Sequence, residues 1–382
     1  MIKSPLPNIP KILRLVGLIG AAALSCAAQG PARTDGKTAE QVYKNIKVLR
    51  GTPADSFNQS MHLISGQLGV DCEHCHLQKD RASDELEAKR TARQMIRMTN
   101  DLNKKSFEGK QVVTCYTCHR GHAKPANLPA LPVADYPPNE KPSGPQLPTA
   151  EQILAKYVEA LGGEQAIRKV TSRLIIAKQD IPTGPGGVIP TPATMQRYQK
   201  APNLLLNVYR TDKYSISNGF DGSVSWAQDA KGRVTEPVKL EQIRAKRIAD
   251  FYEPLNLKQA YSQMKVEGIE KVNNRDAYVL IGYPQENVPE RLYFDTQTGL
   301  LLRKSTVVPT AVGNSPFQVD YDDYRDTGSG VKYPFLMHME PGGSRTELAV
   351  HSTIRVEKIE DNVAVDNAKF VKPESKEDPG GR

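Results

Sequence analysis

Beyond its first thirty residues the chain has no apolar run long enough to cross a bilayer, so a helical multispan protein is excluded. With 25% charged and 38% hydrophobic residues and a mean hydropathy of −0.50, the rest reads as soluble, and its 382 residues suggest two domains or a little more. The formal charge of +8 comes without a basic cluster, so nucleic acid is not expected as a partner. Also missing are a Ser-His-Asp grouping and a phosphate-binding glycine loop; the Gly-Pro-Gly-Gly run at Gly184 reads as a turn. Asp320, Asp322 and Asp323 alternate with tyrosine as a solvated strand face does, rather than as calcium ligands. Cysteine is scarce, five in all, and this makes the placement of each one informative.

Four of the five fall in two copies of Cys-x-x-Cys-His: Cys72, Cys75, His76 and Cys115, Cys118, His119. This is the pattern of covalent haem c attachment. Each pair of thiols can form thioethers to one porphyrin, and the adjoining histidine is then held beneath the iron as its proximal ligand. A structural zinc site would explain two Cys-x-x-Cys pairs but not a histidine after each. A thioredoxin-like redox pair would need one motif on a βαβ pattern, which is absent. Two covalently attached haem c groups are therefore expected, and their propionates would offset about half of the formal charge.

The first 28 residues have the form of a cleavable leader: Lys3, Lys11 and Arg14 precede the apolar run Leu15 to Leu24 and the small stretch Ser25-Cys26-Ala27-Ala28. Export to an oxidising compartment agrees with covalent haem attachment, which takes place outside the cytoplasm. Cys26 stands where a lipoprotein would carry its lipid anchor, although Ala23-Leu24-Ser25 is a loose match to that signal. Cleavage after Ala28 would discard it. A periplasmic protein and a membrane-anchored one are both open at this point.

Ahead of each motif lies a helix with a methionine on it. Thr52-Pro53-Ala54-Asp55 reads as a capped start. Phe57, Met61, Ile64 and Leu68 then share one helical face, and Gly69 ends the helix. Met61 thus offers a thioether as a sixth iron ligand, which would raise the reduction potential. A second helix is expected from near Ser83, with Asp84, Glu85 and Glu87 in its first turn, Lys104 and Lys105 in its last, and a buried face of Ala92, Met95, Ile96, Thr99 and Leu102. Spacing does not choose between Met95 and Met98 as its ligand. His62, His74 and His122 read as solvated or supporting groups rather than ligands.

These segments, "VYKNIKVL", "MHLISGQLGVDCEHCH", "TARQMIRMTNDLN" and "VVTCYTCHRG", resemble the multihaem cytochrome subunit of purple bacterial photosynthetic reaction centres over about residues 37–125. The resemblance implies an α-helical haem domain with closely spaced porphyrins. It also implies that the sixth ligands are Met61 and Met95, which leaves Met98 as packing. That family carries four haems and, in one unit, a histidine ligand between helix and motif. Here there are two motifs and no histidine between His76 and His119, so the chain is similar to half of that subunit.

From Ala123 to Pro148, eight prolines interrupt the periodicity, which places a polyproline-like linker at residues 126–148. Thr149-Ala-Glu-Gln152 is a capping box opening a helix. From Ser172 the hydrophobic period changes to two, through segments such as "SRLIIAKQ", "NLLLNVYRT", "DAYVLIGYP" and "LLLRKSTVV", with one further helix near Leu240 to Phe251. Residues 149–375 are thus expected to form an antiparallel α+β domain. Its order of elements resembles the half-barrel of periplasmic lipoprotein carriers and sorting proteins, and an apolar ligand such as a lipid or quinone is one role such a sheet could serve.

The reading that results is a multidomain protein, an α-helical dihaem domain followed by the antiparallel half-barrel, that transfers electrons between redox donor and acceptor proteins of the envelope. It is not expected to be an enzyme. The alternatives are a peroxidase-like haem enzyme with one open iron position and an apolar-ligand carrier with accessory haems.

Overall fold

The computed structural model describes residues 37–125, 147–183, 189–237, 239–284, 288–341 and 352–375. The leader with Cys26, residues 126–146 of the proline-rich segment and the Gly184–Gly187 run lie outside the described residues. The first part is helical: α1 (Ala39–Val42), α2 (Ala54–Leu68), a 3-10 turn at Cys72–His74, α3 (Glu87–Ser106) and α4 (Cys115–His119). Among the described residues no helix is long and apolar enough to cross a membrane.

The apolar stripe read from α2 packs as expected. Phe57, Met61, Ile64 and Leu68 all join one cluster, with Leu63 beside them, and Gly69 closes the helix at φ 64°. The start differs from expectation, because Pro53 is the N-cap and no side chain caps the helix there. Thr52 is buried and used by its backbone, whose carbonyl accepts from Ala39 N–H at 2.8 Å and whose N–H donates to Leu49 O at 3.3 Å.

Among the described residues the C-terminal part forms a single open antiparallel sheet of 13 strands. Its helices are α5 (Ala150–Ala160), α6 (Glu164–Lys169), α7 (Lys239–Ile248) and α8 (Glu253–Ala260). The first meander runs from β1 (Ser172–Thr183) through β2 (Ile189–Lys200), β3 (Leu204–Arg210), β4 (Ser215–Phe220) and β5 (Ser225–Gln228) to β6 (Val234–Thr235). The second runs from β7 (Tyr261–Val272) through β8 (Arg275–Pro284), β9 (Glu290–Asp295), β10 (Leu301–Thr310), β11 (Gly313–Asp326) and β12 (Lys332–Pro341) to β13 (Ser352–Asp361). Strands β1 and β13 pair with each other and join the two meanders. At this seam Arg173 lies opposite Asp361, and its guanidinium grips that carboxylate at 2.6 and 3.0 Å.

Strand alternation sorts side chains as a period of two requires. Leu280 and Leu292 are cross-strand partners and face α5 and α8, with Ile153, Leu154, Tyr157 and Leu257. Their neighbours Val279 and Tyr293, also partners, point to the opposite face with Ala277 and Leu302. Thr149 caps α5 through the expected box, which sets that helix on the sheet. Asp320 is taken by Arg303 at 2.6 Å on both oxygens, and among the described residues no three acidic, histidine or cysteine side chains converge to hold a metal ion.

Helix α7 is fixed by a buried charge network. Glu290 is 2% exposed and receives Arg247 at 2.7 and 3.1 Å, Lys304 at 3.2 Å and the Tyr261 hydroxyl at 2.6 Å. Burial alone would raise its pKa, but Lys304 and Arg247 hold it down to about 2. The folded value is below the unfolded value of about 4.3. The network's contribution is therefore fully present above that unfolded value and is lost as pH falls through the folded one. Glu290→Gln, which removes the buried negative charge shared by Arg247 and Lys304 while Lys304 keeps Glu253 at 3.4 Å, should cost about 3 kcal/mol of stability in denaturant unfolding at neutral pH. It should also flatten the acid limb of the stability profile; an unchanged midpoint would mean that the network is neutral.

The two parts meet at the tip of the β10–β11 hairpin. Val312 is buried in the same cluster as Leu49, Leu63, Ile64, Ile96 and Cys115. Ala311 N–H donates to Ser60 Oγ at 3.3 Å, and Ala311 O accepts from Gln111 Nε2 at 3.0 Å. The turn is thus seated between α2 and the segment that leads into the second motif.

Candidate functional site

In the first motif the chain leaves α2 through Gly69 and makes one tight turn. Asp71 caps it by accepting from His74 N–H at 3.0 Å. Cys72 O accepts from the N–H of both Cys75 and His76, at 3.3 and 2.9 Å. One turn of backbone therefore carries both thiols and the imidazole. The second motif is a five-residue helix in which Thr114 N–H donates to Thr117 Oγ1 at 3.1 Å. Arg120, at φ 49°, ends it in the left-handed region.

The two motifs are packed together through α2. Gly121 N–H donates to Gln67 O at 3.0 Å. A Cβ on Gly69 would stand 2.0 Å from Gly121 O, with a backbone φ of 64° that also favours glycine. The helix that precedes the first motif thus supports the end of the second.

Both motif histidines are oriented in the same way. His76 Nδ1 lies 2.9 Å from Arg81 O, and His119 Nδ1 lies 3.0 Å from His122 O. A carbonyl only accepts, so each Nδ1 carries a proton, and in the neutral ring that leaves the lone pair on Nε2, the form a metal ligand needs. Burial, and the charge of Lys89 nearby, hold the pKa of His76 below its ordinary value, which keeps the ring neutral.

None of the four described cysteines is in a disulfide. Burial pushes the Cys75 and Cys115 thiols up, the reverse of the lowered value a thiol–disulfide redox pair uses. With no three-residue metal cluster among the described residues, the two pairs stand as separate sets of two thiols and one imidazole. This donor chemistry fits a haem c at each motif.

Helix α3 departs from the expected pattern. It begins at Glu87, not near Ser83, and its buried residues are Lys89, Arg93, Ile96 and Asn103. Ala92, Met95 and Thr99 are half-buried, whereas Met98 is 50% and Leu102 41% exposed. Of the predicted face, Ile96 is therefore buried, Ala92, Met95 and Thr99 form its half-buried flank, and Leu102 lies outside it, while Lys89 and Arg93 share the buried side. Val112 and Tyr116 are exposed as well. Apolar side chains left uncovered around a motif suit a flat apolar group. Met61, like Met95, is half-buried, and it packs within the α2 cluster. A cleft of about 360 Å³ lined by Val48, Leu49, Ile96 and Arg97 among others contains none of the motif residues or methionines.

Sequence reasoning missed the polar residues that hold the loop between the first motif and α3. Lys89 Nζ donates to Arg81 O and Ser83 O, each at 2.7 Å. Arg90 donates to Asp84 O and Glu85 O, and Asn45 to Ala82 O. The Asp84 carboxylate, held well below the usual carboxylate range chiefly by Lys47 and also by Arg93 and Asn45, receives Lys47 and Arg93 at 2.6 Å. Five consecutive carbonyls, from Arg81 to Glu85, thus accept from side chains. Asn103 does similar work for the second motif, bonding Val112 N–H, Val113 N–H and Val113 O at 3.1, 2.9 and 2.7 Å.

Residues 14–152 match the family described as photosynthetic reaction centre cytochrome C subunit. The photosynthetic reaction center cytochrome c subunit of Thermochromatium tepidum is 32% identical over 133 residues, 32% of this chain and 33% of that protein. Cytochrome c-554 of Chloroflexus aurantiacus is 36% identical over 91 residues, 22% of this chain and 21% of that one. The chain spans about a third or less of the length of these relatives. Among solved structures, a LolA superfamily protein from Nitrosomonas europaea covers 59% of this chain and 99% of its own, at 13% identity and a TM-score of 0.40. The N-terminal region of this chain, up to a point before the first strand of the sheet, is thus similar to the photosynthetic reaction centre cytochrome c subunit.

Proposed function

We propose that this chain is an exported dihaem c-type cytochrome that passes single electrons between donor and acceptor proteins of the cell envelope. The observation that carries the reading is the repeated one: each motif histidine gives its Nδ1–H to a nearby carbonyl and leaves Nε2 free, beside two unpaired thiols. When bound, a haem c supplies a one-electron iron couple. Cys72 and Cys75 would hold one haem and Cys115 and Cys118 the other, with His76 and His119 as proximal ligands. Met61 and Met95 would offer thioethers from the preceding helices, and two ligands per iron would leave no position open for a substrate. A transfer role rather than catalysis follows.

In this reading residues 1–28 direct export, 37–125 form the haem domain, 126–148 connect, and 149–375 form the sheet domain. Lipidation of Cys26 would tether the protein to a membrane. One face of the sheet is covered by α5 and α8 and filled by Tyr157, Phe294 and Leu280, which supports a structural or docking role over carriage of an apolar ligand.

The optical spectrum tests the central claim. The ferric protein should show low-spin six-coordinate bands, and the reduced protein should not take up carbon monoxide. High-spin bands or rapid carbon monoxide binding at either site would favour an open, enzyme-like haem instead.

A further inference from the structure

We propose that Lys89 raises the reduction potential at the first motif by sharing the carbonyl that receives the His76 Nδ1–H. The inference rests on haem ligation by His76 as read above, and it concerns what this chain does to that ligand.

Lys89 is 8% exposed, an unusual place for a lysine. Its ammonium is not spent on a close ion pair. The nearest carboxylate oxygen, Asp84 Oδ1, is 3.9 Å away and already holds Arg93 at 2.6 Å. Instead Lys89 points two donors at Arg81 O and Ser83 O, each at 2.7 Å, and Arg81 O is the same atom that lies 2.9 Å from His76 Nδ1. A carbonyl oxygen has two lone pairs and can serve both.

The electronic consequence has a definite sign. A ring that gives its N–H to a strong acceptor gains imidazolate character and becomes a better donor to its metal. A cation on the same oxygen draws density away and makes that oxygen a poorer acceptor. His76 then donates less to iron, and a fixed positive charge nearby further disfavours the ferric state, so the ferrous form gains. The second site lacks this device: among the described residues no lysine or arginine donates to His122 O, the partner of His119. Two motifs of the same type are thereby made unequal, and the first is the more oxidising for otherwise equal ligands.

The test is a potentiometric titration of the full holoprotein in four forms: unaltered, Lys89→Met, Lys89→Gln and Lys89→Arg. Mass spectrometry under denaturing conditions first establishes that each carries two haems. Haem absent from the unaltered protein would overturn the ligation reading itself, whereas two bound haems with unmoved potentials would overturn only this proposal. Lys89→Met and Lys89→Gln should lower one of the two steps by about tenfold in the ferrous-to-ferric ratio at fixed ambient potential, equivalent to about 59 mV for a one-electron couple. The other step should not move, and Lys89→Arg should stay with the unaltered protein. If Lys89→Met fails to fold, the comparison of Lys89→Gln with Lys89→Arg carries the decision, because both retain a donor and only one retains the charge. Equal potentials in those two variants, or equal displacement of both steps, would overturn the proposal.

Discussion

Replacing Cys72 and Cys75 together by alanine is expected to yield a protein with one covalent haem, and replacing Cys115 and Cys118 together should do the same from the other end. Denaturing mass spectrometry counts the groups directly, since thioether-linked haem survives unfolding. The two double variants should nevertheless differ in stability. Cys72 and Cys75 are half-buried, so their sulfurs contribute little packing within the polypeptide. Cys115 is buried in the cluster shared with Leu63, Ile96 and Val312, and loss of its sulfur should cost about 1 kcal/mol beyond the haem itself. Retention of two haems by either variant, or recovery of zinc in place of haem, would end the dihaem reading.

How much of this site could be read in advance depends on which interactions are local. The Cys-x-x-Cys-His motifs, the α2 stripe through Met61 and the Thr149 capping box are set by residues within a few positions of each other, and each occurs where its spacing placed it. The start of α3 was misjudged because Asp84 and Glu85 look like first-turn acids. In the fold Asp84 accepts from Lys47, Asn45 and Arg93, contacts that span up to 39 residues and that no local pattern announces.

The buried face of α3 is legible at Ile96 but not at its charged members, for a related reason. Lysine and arginine read as solvent-facing by default, yet Lys89 and Arg93 lie inside. The loop at residues 81–85 forms no regular structure of its own, and its carbonyls need donors. A helix built to serve that loop turns its cations inward, which leaves Met95 half-buried on the flank and Met98 on the outer side. The same logic hid the sheet's seam: β1 and β13 pair across about 180 residues, and alternation in each strand says nothing about the partner. The Val312 turn was equally illegible, since its role depends on a surface of α2 far away in sequence.

The position of the methionines leads to the other large expected effect. Met61→Ala and Met95→Ala should each remove about half of the sulfur-to-iron charge-transfer absorption of the ferric protein, lower one step of the redox titration, and open one haem to carbon monoxide after reduction. They should differ in their cost to the fold. Met61 is packed with Phe57, Leu63 and Ile64, so its truncation should lower the stability of the helical part by about 1–2 kcal/mol, less than a fully buried methionine would cost. Met95 is half-buried on the flank of α3, and its truncation should cost less than about 1 kcal/mol before haem is considered. Met98→Ala is the control that separates two neighbours on one helix side: at 50% exposed it should keep both bands and both potentials. If Met98→Ala loses the band and Met95→Ala keeps it, the ligand is one turn further along α3. If none of the three variants changes the spectrum, methionine is not the sixth ligand at either site, and the two irons must be matched to another donor before a high-potential transfer role is assigned to them.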